Sequence, residues 1–153
     1  MTVDEIIKRY EPKEENILSM LHDIQNFNPK NYLEKEALGK VADYLRIPIS
    51  RVNGVVGFYS MLSKEPRGKY IIRLCQSPPC FIKGFTNILQ ILKKQLGLDV
   101  NETTEDGLFT LEFSSCLGVC GIAPAMSINN EVYGNLTEKK VIEIIENYKR
   151  GNI

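Results

Sequence analysis

Apolar side chains recur along the first 65 residues at the spacing of amphipathic helices. Three stripes can be distinguished: Val3, Ile6, Ile7 and Tyr10; Ile17, Leu21 and Ile24; and Leu38, Val41, Ala42 and Leu45. Because positions three and four apart share one helix face, the stripes predict three helices packed into a small bundle. Pro48 ends the third pattern, and Ser50 is predicted to cap a fourth helix, VNGVVGFYSML.

After the turn-forming run KEPRGK, residues 64–69, the sequence pattern predicts strands as well as helices. Strands are predicted at KYIIRLC, LFTLEFSS, AMSIN and EVYGN, the last two joined at Asn129-Asn130. A helix is predicted over FIKGFTNILQILKKQLG, with Phe81 on its apolar face and Gly97 at its end. A final helix, TEKKVIEIIENYKR, is predicted to be capped by Thr137.

The order of these segments defines a fold class. Strands and helices follow one another as β-α-β-β-β-α after the helical start, which predicts a sheet with flanking helices. We therefore predict an α/β (α+β) protein with a helical N-terminal domain, residues 1–67, and a sheet-containing domain, residues 68–153.

The charge distribution argues against nucleic-acid binding. The 153 residues include 19 basic and 19 acidic side chains, and residues 1–67 carry ten of each. No half of the chain is basic enough to follow a phosphate backbone. No apolar run approaches the roughly 20 residues that cross a bilayer. The charged, periodic N-terminus is unlike a signal peptide, so we expect a cytoplasmic protein without direct membrane insertion.

The four cysteines are the candidate site residues. Cys75 and Cys80 enclose QSPP, Cys116 and Cys120 enclose LGV, and each pair begins where a predicted strand ends. Two loops at one edge of a sheet bring such residues together. Thiols stay reduced in the cytoplasm, so four of them favour a metal centre over two disulfides. A cation also keeps converging thiolates ionised at neutral pH.

Spacing alone leaves tetrahedral zinc and a [2Fe–2S] cluster equally open, since both take four cysteines. The four-residue gap of the first pair is wider than that of a zinc knuckle. Pro78-Pro79 stiffens the first loop, and Gly118 and Gly121 allow close backbone approach in the second, although an ordinary tight turn explains these glycines equally well. The apolar side chains expected to shield the site are Phe81, Leu117, Val119 and Ile122.

The cysteine frame also resembles a known family. C-x₄-C followed by CLGVCGIAPAM is similar to the thioredoxin-like [2Fe–2S] ferredoxins. The segment LGKVADYLRIPISRVNGVVGFYSMLSKEPRGKYIIRLC resembles the stretch before the first cysteine in the small iron–sulfur subunit of NADH dehydrogenase modules. Across nearly the whole chain, the resemblance implies a thioredoxin-like second domain with one cluster. Cys75 and Cys80 would ligate one iron, and Cys116 and Cys120 the other.

The resemblance implies a one-electron carrier whose partner is an iron–sulfur flavoprotein that binds FMN and NAD(H). Family members serve respiratory complex I, NAD-linked and electron-bifurcating hydrogenases, and NAD-linked formate dehydrogenases. We expect a subunit of a soluble hydrogenase or formate dehydrogenase, in contact with the flavoprotein and with that catalytic subunit. The alternatives are a complex I NADH-module subunit and a zinc-stapled structural subunit.

Two further functions remain as rivals. A thiol–disulfide oxidoreductase normally carries C-x-x-C, which the sequence lacks. An assembly module would use the cluster only for folding. No glycine-rich phosphate loop and no nucleophile–base pair is evident, so we expect no catalytic site within this chain. Phe58 and Tyr59 are predicted to lie in the helical core, with partner docking as their alternative role.

Overall fold

Helices make up the first part of the chain in the computed structural model, which describes residues 2–151. They are α1 (Val3–Ile7), α2 (Ile17–Phe27), α3 (Lys35–Leu45) and α4 (Ile49–Phe58), with a 3₁₀ turn at Glu14–Asn16 before α2. The apolar stripes of the sequence meet in one core, in which Met20, Leu21 and Val41 are completely buried. Helices this short are marginal alone in water, so this shared burial holds them in place. The predicted helical bundle is confirmed.

Helix α4 differs from its prediction at both ends. Pro48 has an extended backbone, with φ −61° and ψ 142°, so the helix begins at Ile49. The carbonyl of Pro48 accepts the N–H of Arg51 at 2.9 Å. Ser50 therefore lies within the first turn and does not cap the helix. The helix ends at Phe58, so its predicted continuation over the next four residues is wrong.

The residues at the end of α4 are exposed. Phe58 is 81% exposed, Tyr59 41% and Met61 51%. The two rings meet edge to face, with their centroids 5.0 Å apart. The buried positions of α4 are Val52 and Val56, and a residue two positions beyond Val56 lies on the far side of a helix. The predicted core role of Phe58 and Tyr59 is therefore wrong, and these side chains with Met61 form what we call the α4 patch.

The rest of the chain folds around a sheet of four strands within the described residues. Its elements are β1 (Tyr70–Cys75), α5 (Pro78–Ile82), α6 (Phe85–Leu96), β2 (Phe109–Ser114), a 3₁₀ turn (Cys120–Ile122), β3 (Met126–Ile128), β4 (Glu131–Tyr133) and α7 (Glu138–Lys149). The strand order is β2-β1-β3-β4. By its contacts the chain divides into two compact units, Met1–Arg67 and Gly68–Ile153.

Strand β1 lies inside the sheet and pairs with β2 in parallel and with β3 antiparallel. Parallel strands need a long crossover, which α5 and α6 provide. Alternate side chains of β1, namely Tyr70, Ile72 and Leu74, share a core with the buried faces of α6 and α7. The predicted α+β fold class, a helical bundle followed by a sheet with flanking helices, is thus confirmed.

The helix predicted after β1 as one continuous segment is two helices. Helix α5 ends at Ile82, and α6 begins at Phe85. Between them Gly84 has φ 111°, a backbone conformation that side chains with a Cβ rarely adopt. This break turns Phe81 away from the buried face of α6, so its predicted place on that face is wrong.

Three terminal and turn residues act as the sequence predicts. Gly97 ends α6 with φ 68°. The Thr137 side chain accepts the N–H of Lys140 and caps α7. The β3–β4 turn contains Asn129 with φ 51°, whose side-chain oxygen accepts the N–H of Ile71 at 2.9 Å.

Candidate metal centre

The four cysteines reach one edge of the sheet because β1 and β2 run parallel. Cys75 is the last residue of β1 and pairs in register with Ser114, the last residue of β2. The carboxyl ends of parallel strands meet at the same edge. The loop from residue 76 to α5 and the loop holding Cys116 and Cys120 therefore leave the sheet side by side, where a rigid scaffold commonly carries chemistry.

The first loop holds its two cysteines inside the protein. Cys75 and Cys80 are each 2% exposed and cluster with the small side chains Ala123 and Ala125. The backbone N–H of Cys75 donates to the carbonyl of Ala125 at 3.1 Å, which fixes the end of the strand. Cys80 lies in the first turn of α5, directly after two prolines. Cys75 and Cys80, the inner pair, are therefore fixed in place and shielded from solvent.

The second loop holds its cysteines at the surface. Cys116 and Cys120 are exposed, and their Sγ atoms are 3.5 Å apart. Gly118 between them has φ 79°, and its N–H donates to the Cys116 sulfur at 3.3 Å. The loop thus folds back on itself and sets the outer pair side by side.

Contacts between the loops join the two pairs. Leu117 and Val119 of the second loop pack against the inner pair, as the sequence predicts. Ala123 and Ala125, which follow the second loop in the chain, belong to the same cluster as the inner pair. The second loop, which carries Cys116 and Cys120, therefore packs on the inner pair, and the four cysteines lie at one edge of the sheet.

The two thiols of the inner pair titrate differently. Burial acts to raise the pKa of Cys75, but the Ser77 hydroxyl and the N–H groups of Ser77 and Leu117 stabilise its ionised form by more than burial disfavours it, so the pKa lies below its usual value. Burial, together with the hydrogen bond to Cys75, raises the pKa of Cys80. Cys75 is therefore the more readily ionised thiol of the inner pair, and the thiolate is the form that binds a metal.

The outer pair divides in the same way. The Gly118 N–H, followed by the contact with Cys120, lowers the pKa of Cys116. The same sulfur–sulfur contact raises the pKa of Cys120. In each pair one thiol thus ionises more readily than the other, and a cation that binds both displaces their protons.

The donor set fits an iron–sulfur cluster. All four cysteines are free thiols, and soft thiolate donors select zinc, Cu(I) or iron–sulfur clusters. A [2Fe–2S] cluster needs two thiolates on each of two irons, which matches one pair per loop. Within residues 2–151 no three His, Cys, Asp or Glu side chains are grouped as ligands of a single ion, so the site is best described as two pairs.

Two of the four expected shielding residues lie elsewhere. Phe81 is 58% exposed and stacks on Phe85, with ring centroids 5.8 Å apart. Ile122 is 38% exposed and fills the space over Gly134 that a Cβ would need. Sequence reasoning also missed the packing of Ala123 against the inner pair and the contact of Ser77 with Cys75. The Ser-Pro-Pro run at a strand end is the available signal for Ser77, because it marks a helix start.

Paired free thiols on two neighbouring loops at a sheet edge are the donor arrangement of a metal–thiolate protein. The sequence model of one family, described as thioredoxin-like [2Fe-2S] ferredoxin, matches residues 3–149. The chain belongs to the thioredoxin-like [2Fe-2S] ferredoxin family. This confirms the family assignment made from the cysteine frame, and with it the cofactor characteristic of the family.

Curated relatives are similar over almost their full length. The chain is 35% identical over 146 residues to the NADP-reducing hydrogenase subunit HndA of Solidesulfovibrio fructosivorans, covering 95% of this chain and 84% of the relative. It is 40% identical over 147 residues to a NADH-quinone oxidoreductase subunit of Rickettsia felis, covering 95% and 87%. It is 37% identical to the corresponding subunit of Aquifex aeolicus, covering 95% and 90%.

A solved structure shares the fold. The NAD+-reducing [NiFe]-hydrogenase in its air-oxidized state superposes with a TM-score of 0.78 at 19% identity. The match covers 89% of this chain but only 23% of the hydrogenase chain, so the likeness concerns one part of a larger polypeptide.

Proposed function

We propose that this chain holds one [2Fe–2S] cluster and acts as a one-electron carrier subunit of a multi-subunit NAD(H)-linked oxidoreductase. The observation that carries the proposal is the meeting of two pairs of free cysteines at one sheet edge. In this proposal Cys75 and Cys80 hold one iron, and Cys116 and Cys120 hold the other. When bound, the cluster supplies one-electron chemistry.

The protein's own groups have three tasks in this proposal. Small buried side chains and Leu117 exclude water from the inner pair. Backbone N–H groups, such as that of Gly118, hydrogen-bond to the sulfurs and stabilise their negative charge. The exposed outer pair leaves one side of the site open towards a redox partner. Residues 68–153 form the ferredoxin domain, and residues 1–67 form the helical domain that accompanies it.

The parent complex is proposed to be a hydrogenase or formate dehydrogenase linked to NAD(H), including the electron-bifurcating kind. The relative named as a hydrogenase subunit supports this choice. The relatives named as NADH-quinone oxidoreductase subunits support the alternative, a subunit of a complex I NADH module. Identification of the proteins that purify with the native chain separates the two.

The direct partner is proposed to be a flavoprotein that binds FMN and NAD(H). A flavin accepts two electrons as hydride, whereas an iron–sulfur cluster passes one at a time, so the two cofactors complement each other. Among the described residues no helix combines the length and apolarity needed to traverse a bilayer. We place the complex in the cytoplasm because the site needs reduced thiols.

Metal analysis of the chain purified without oxygen tests the proposal. We expect about two irons and two acid-labile sulfides per chain, with visible absorption that dithionite bleaches. A single unpaired electron then gives an EPR signal in the reduced protein. A colourless protein with one zinc would establish the zinc-stapled subunit instead, and a metal-free protein with an intramolecular disulfide would establish a thiol oxidoreductase.

The α4 patch is predicted to contact the partner subunit. Exposed apolar groups of this kind mark interaction surfaces, and aromatic side chains contribute most to binding. Replacing Phe58 with serine is expected to weaken binding of the partner subunit at least tenfold, as measured by biolayer interferometry with the subunit released from the native complex. The iron content per chain and the free energy of unfolding of this variant should equal those of the wild type.

The matched control is Ile49→Ser on the same helix. Ile49 is 46% exposed and lies nine residues from Phe58, two and a half turns away and hence on the opposite side of the helix. We expect Ile49→Ser to bind the partner normally. Equal binding by wild type and Phe58→Ser would remove the α4 patch from the interface.

A further inference from the structure

Ser77 occupies a capping position but does not cap its helix. It is the residue before α5, with φ −66° and ψ 157°, and its side chain accepts no hydrogen bond from the first turn. A serine at this position normally accepts the N–H of the second or third helical residue. Here Pro79 is the second helical residue and has no N–H to donate. Cys80, the third helical residue, keeps its N–H, but this N–H makes no hydrogen bond to the Ser77 side chain. The Ser77 hydroxyl is therefore available for another partner.

That partner is the cysteine site. The Cys75 thiol donates to Ser77 Oγ, with a sulfur–oxygen distance of 3.5 Å. The Ser77 hydroxyl and the Cys75 sulfur are therefore close enough to hydrogen-bond whichever of the two carries the shared proton.

The direction of this hydrogen bond must reverse when iron binds. A cysteine that ligates iron has lost its proton and is an acceptor only. The Ser77 O–H is then the donor, and a bond from a neutral donor to a charged sulfur is stronger than one between neutral groups.

We propose that Ser77 is a positioning residue whose hydroxyl donates a hydrogen bond to the Cys75 sulfur and thereby raises the reduction potential of the cluster. The proposal rests on the proposed function. Reduction adds one electron from the external reductant, with no bond broken and no proton moved. The reduced centre carries one more negative charge, so a hydrogen-bond donor stabilises it more than the oxidised centre.

The test is an EPR-monitored redox titration of the full chain with its cluster bound. In Ser77→Ala we expect the equilibrium between reduced and oxidised cluster to shift about tenfold towards the oxidised form, a lowering of about 59 mV for one electron. The same variant should lose a solvent-exchangeable proton coupling in the ENDOR spectrum of the reduced cluster.

Two controls define the effect. Ser77→Thr keeps a hydroxyl and should retain a potential close to that of the wild type. Ser115→Ala removes an exposed hydroxyl next to Cys116 and should leave the potential unchanged. If the potential of Ser77→Ala equals that of the wild type while its iron is bound, the proposal is overturned although the proposed function stands.

If Ser77→Ala does not retain iron, a second variant can test the same proposal. Ser77→Gly also removes the hydroxyl, and glycine is well tolerated at a capping position. Its potential should fall as in the alanine variant. Loss of iron from both variants would assign Ser77 to loop structure and would likewise overturn the proposal. Absence of iron from the wild type would instead contradict the proposed function.

Discussion

Replacement of Cys116 with alanine is expected to abolish the visible chromophore while leaving the fold intact. Each iron of a [2Fe–2S] cluster is held by two thiolates, and loss of one would leave a coordination position open to water, which binds iron less tightly than thiolate. Cys116 is exposed, so its removal opens no cavity in a core. We expect iron per chain to fall at least tenfold, measured by metal analysis, with the far-ultraviolet circular dichroism spectrum unchanged.

The inner pair provides an informative contrast. Cys75→Ala should lose iron equally, but it should also lower the free energy of unfolding of the metal-free protein, because Cys75 packs inside the Ala123 and Ala125 cluster. The control is Ser115→Ala, which alters the same loop as Cys116 without touching a thiol. Retention of the wild-type absorption spectrum by Cys116→Ala would contradict its role as a ligand.

The second large effect is expected at Leu74. This side chain is completely buried in β1, where it pairs with Phe113 of β2 and Met126 of β3. Leu74→Ala should reduce the free energy of unfolding by roughly 2–5 kcal/mol, because it removes packed methyl groups and leaves a cavity. Domains commonly have only about 5–15 kcal/mol of stability, so such a loss is severe.

Urea denaturation of the metal-free chain measures this effect. The control is Val132→Ala on the outer strand β4, where the side chain is 46% exposed, and a change within about 0.5 kcal/mol is expected there. Iron content should fall in Leu74→Ala as well, since β1 presents Cys75. A destabilisation below about 1 kcal/mol would contradict the central position of β1 in the core.

Much of the fold could be predicted because hydrophobic periodicity and local hydrogen bonding determine it. The helical stripe through Leu38 and Val41 becomes the buried face of α3. Gly97 and Thr137 act at their helix ends because a left-handed backbone and a capping oxygen are local requirements.

The errors arose where tertiary structure decides between local options. Apolar periodicity runs unbroken from Phe81 into α6, and only the conformation of Gly84 separates the two helices. Phe58 and Tyr59 are apolar but follow the last buried turn of α4, and a periodicity argument assigns such side chains to the core by default.

The sequence indicated which four cysteines form the candidate site, but not which of them are buried and which are exposed. Two cysteine pairs at strand ends suggested convergence, and the parallel pairing of β1 and β2 supplies it. The contrast between the buried Cys75 and the exposed Cys116 depends on residues distant in sequence, such as Ala125. Spacing carries no information about that contrast.

The parallel pairing of β1 and β2 also sets the order of events during maturation. Cys75 and Ser114 are brought into register only after the chain has formed the entire α5–α6 crossover, and such non-local pairing is slow. The nascent polypeptide can therefore present its first two sulfurs well before the other two are in place. We therefore expect stable iron binding only after the sheet has formed. The rate of metal uptake, followed in a stopped-flow instrument, then measures how fast β1 and β2 pair.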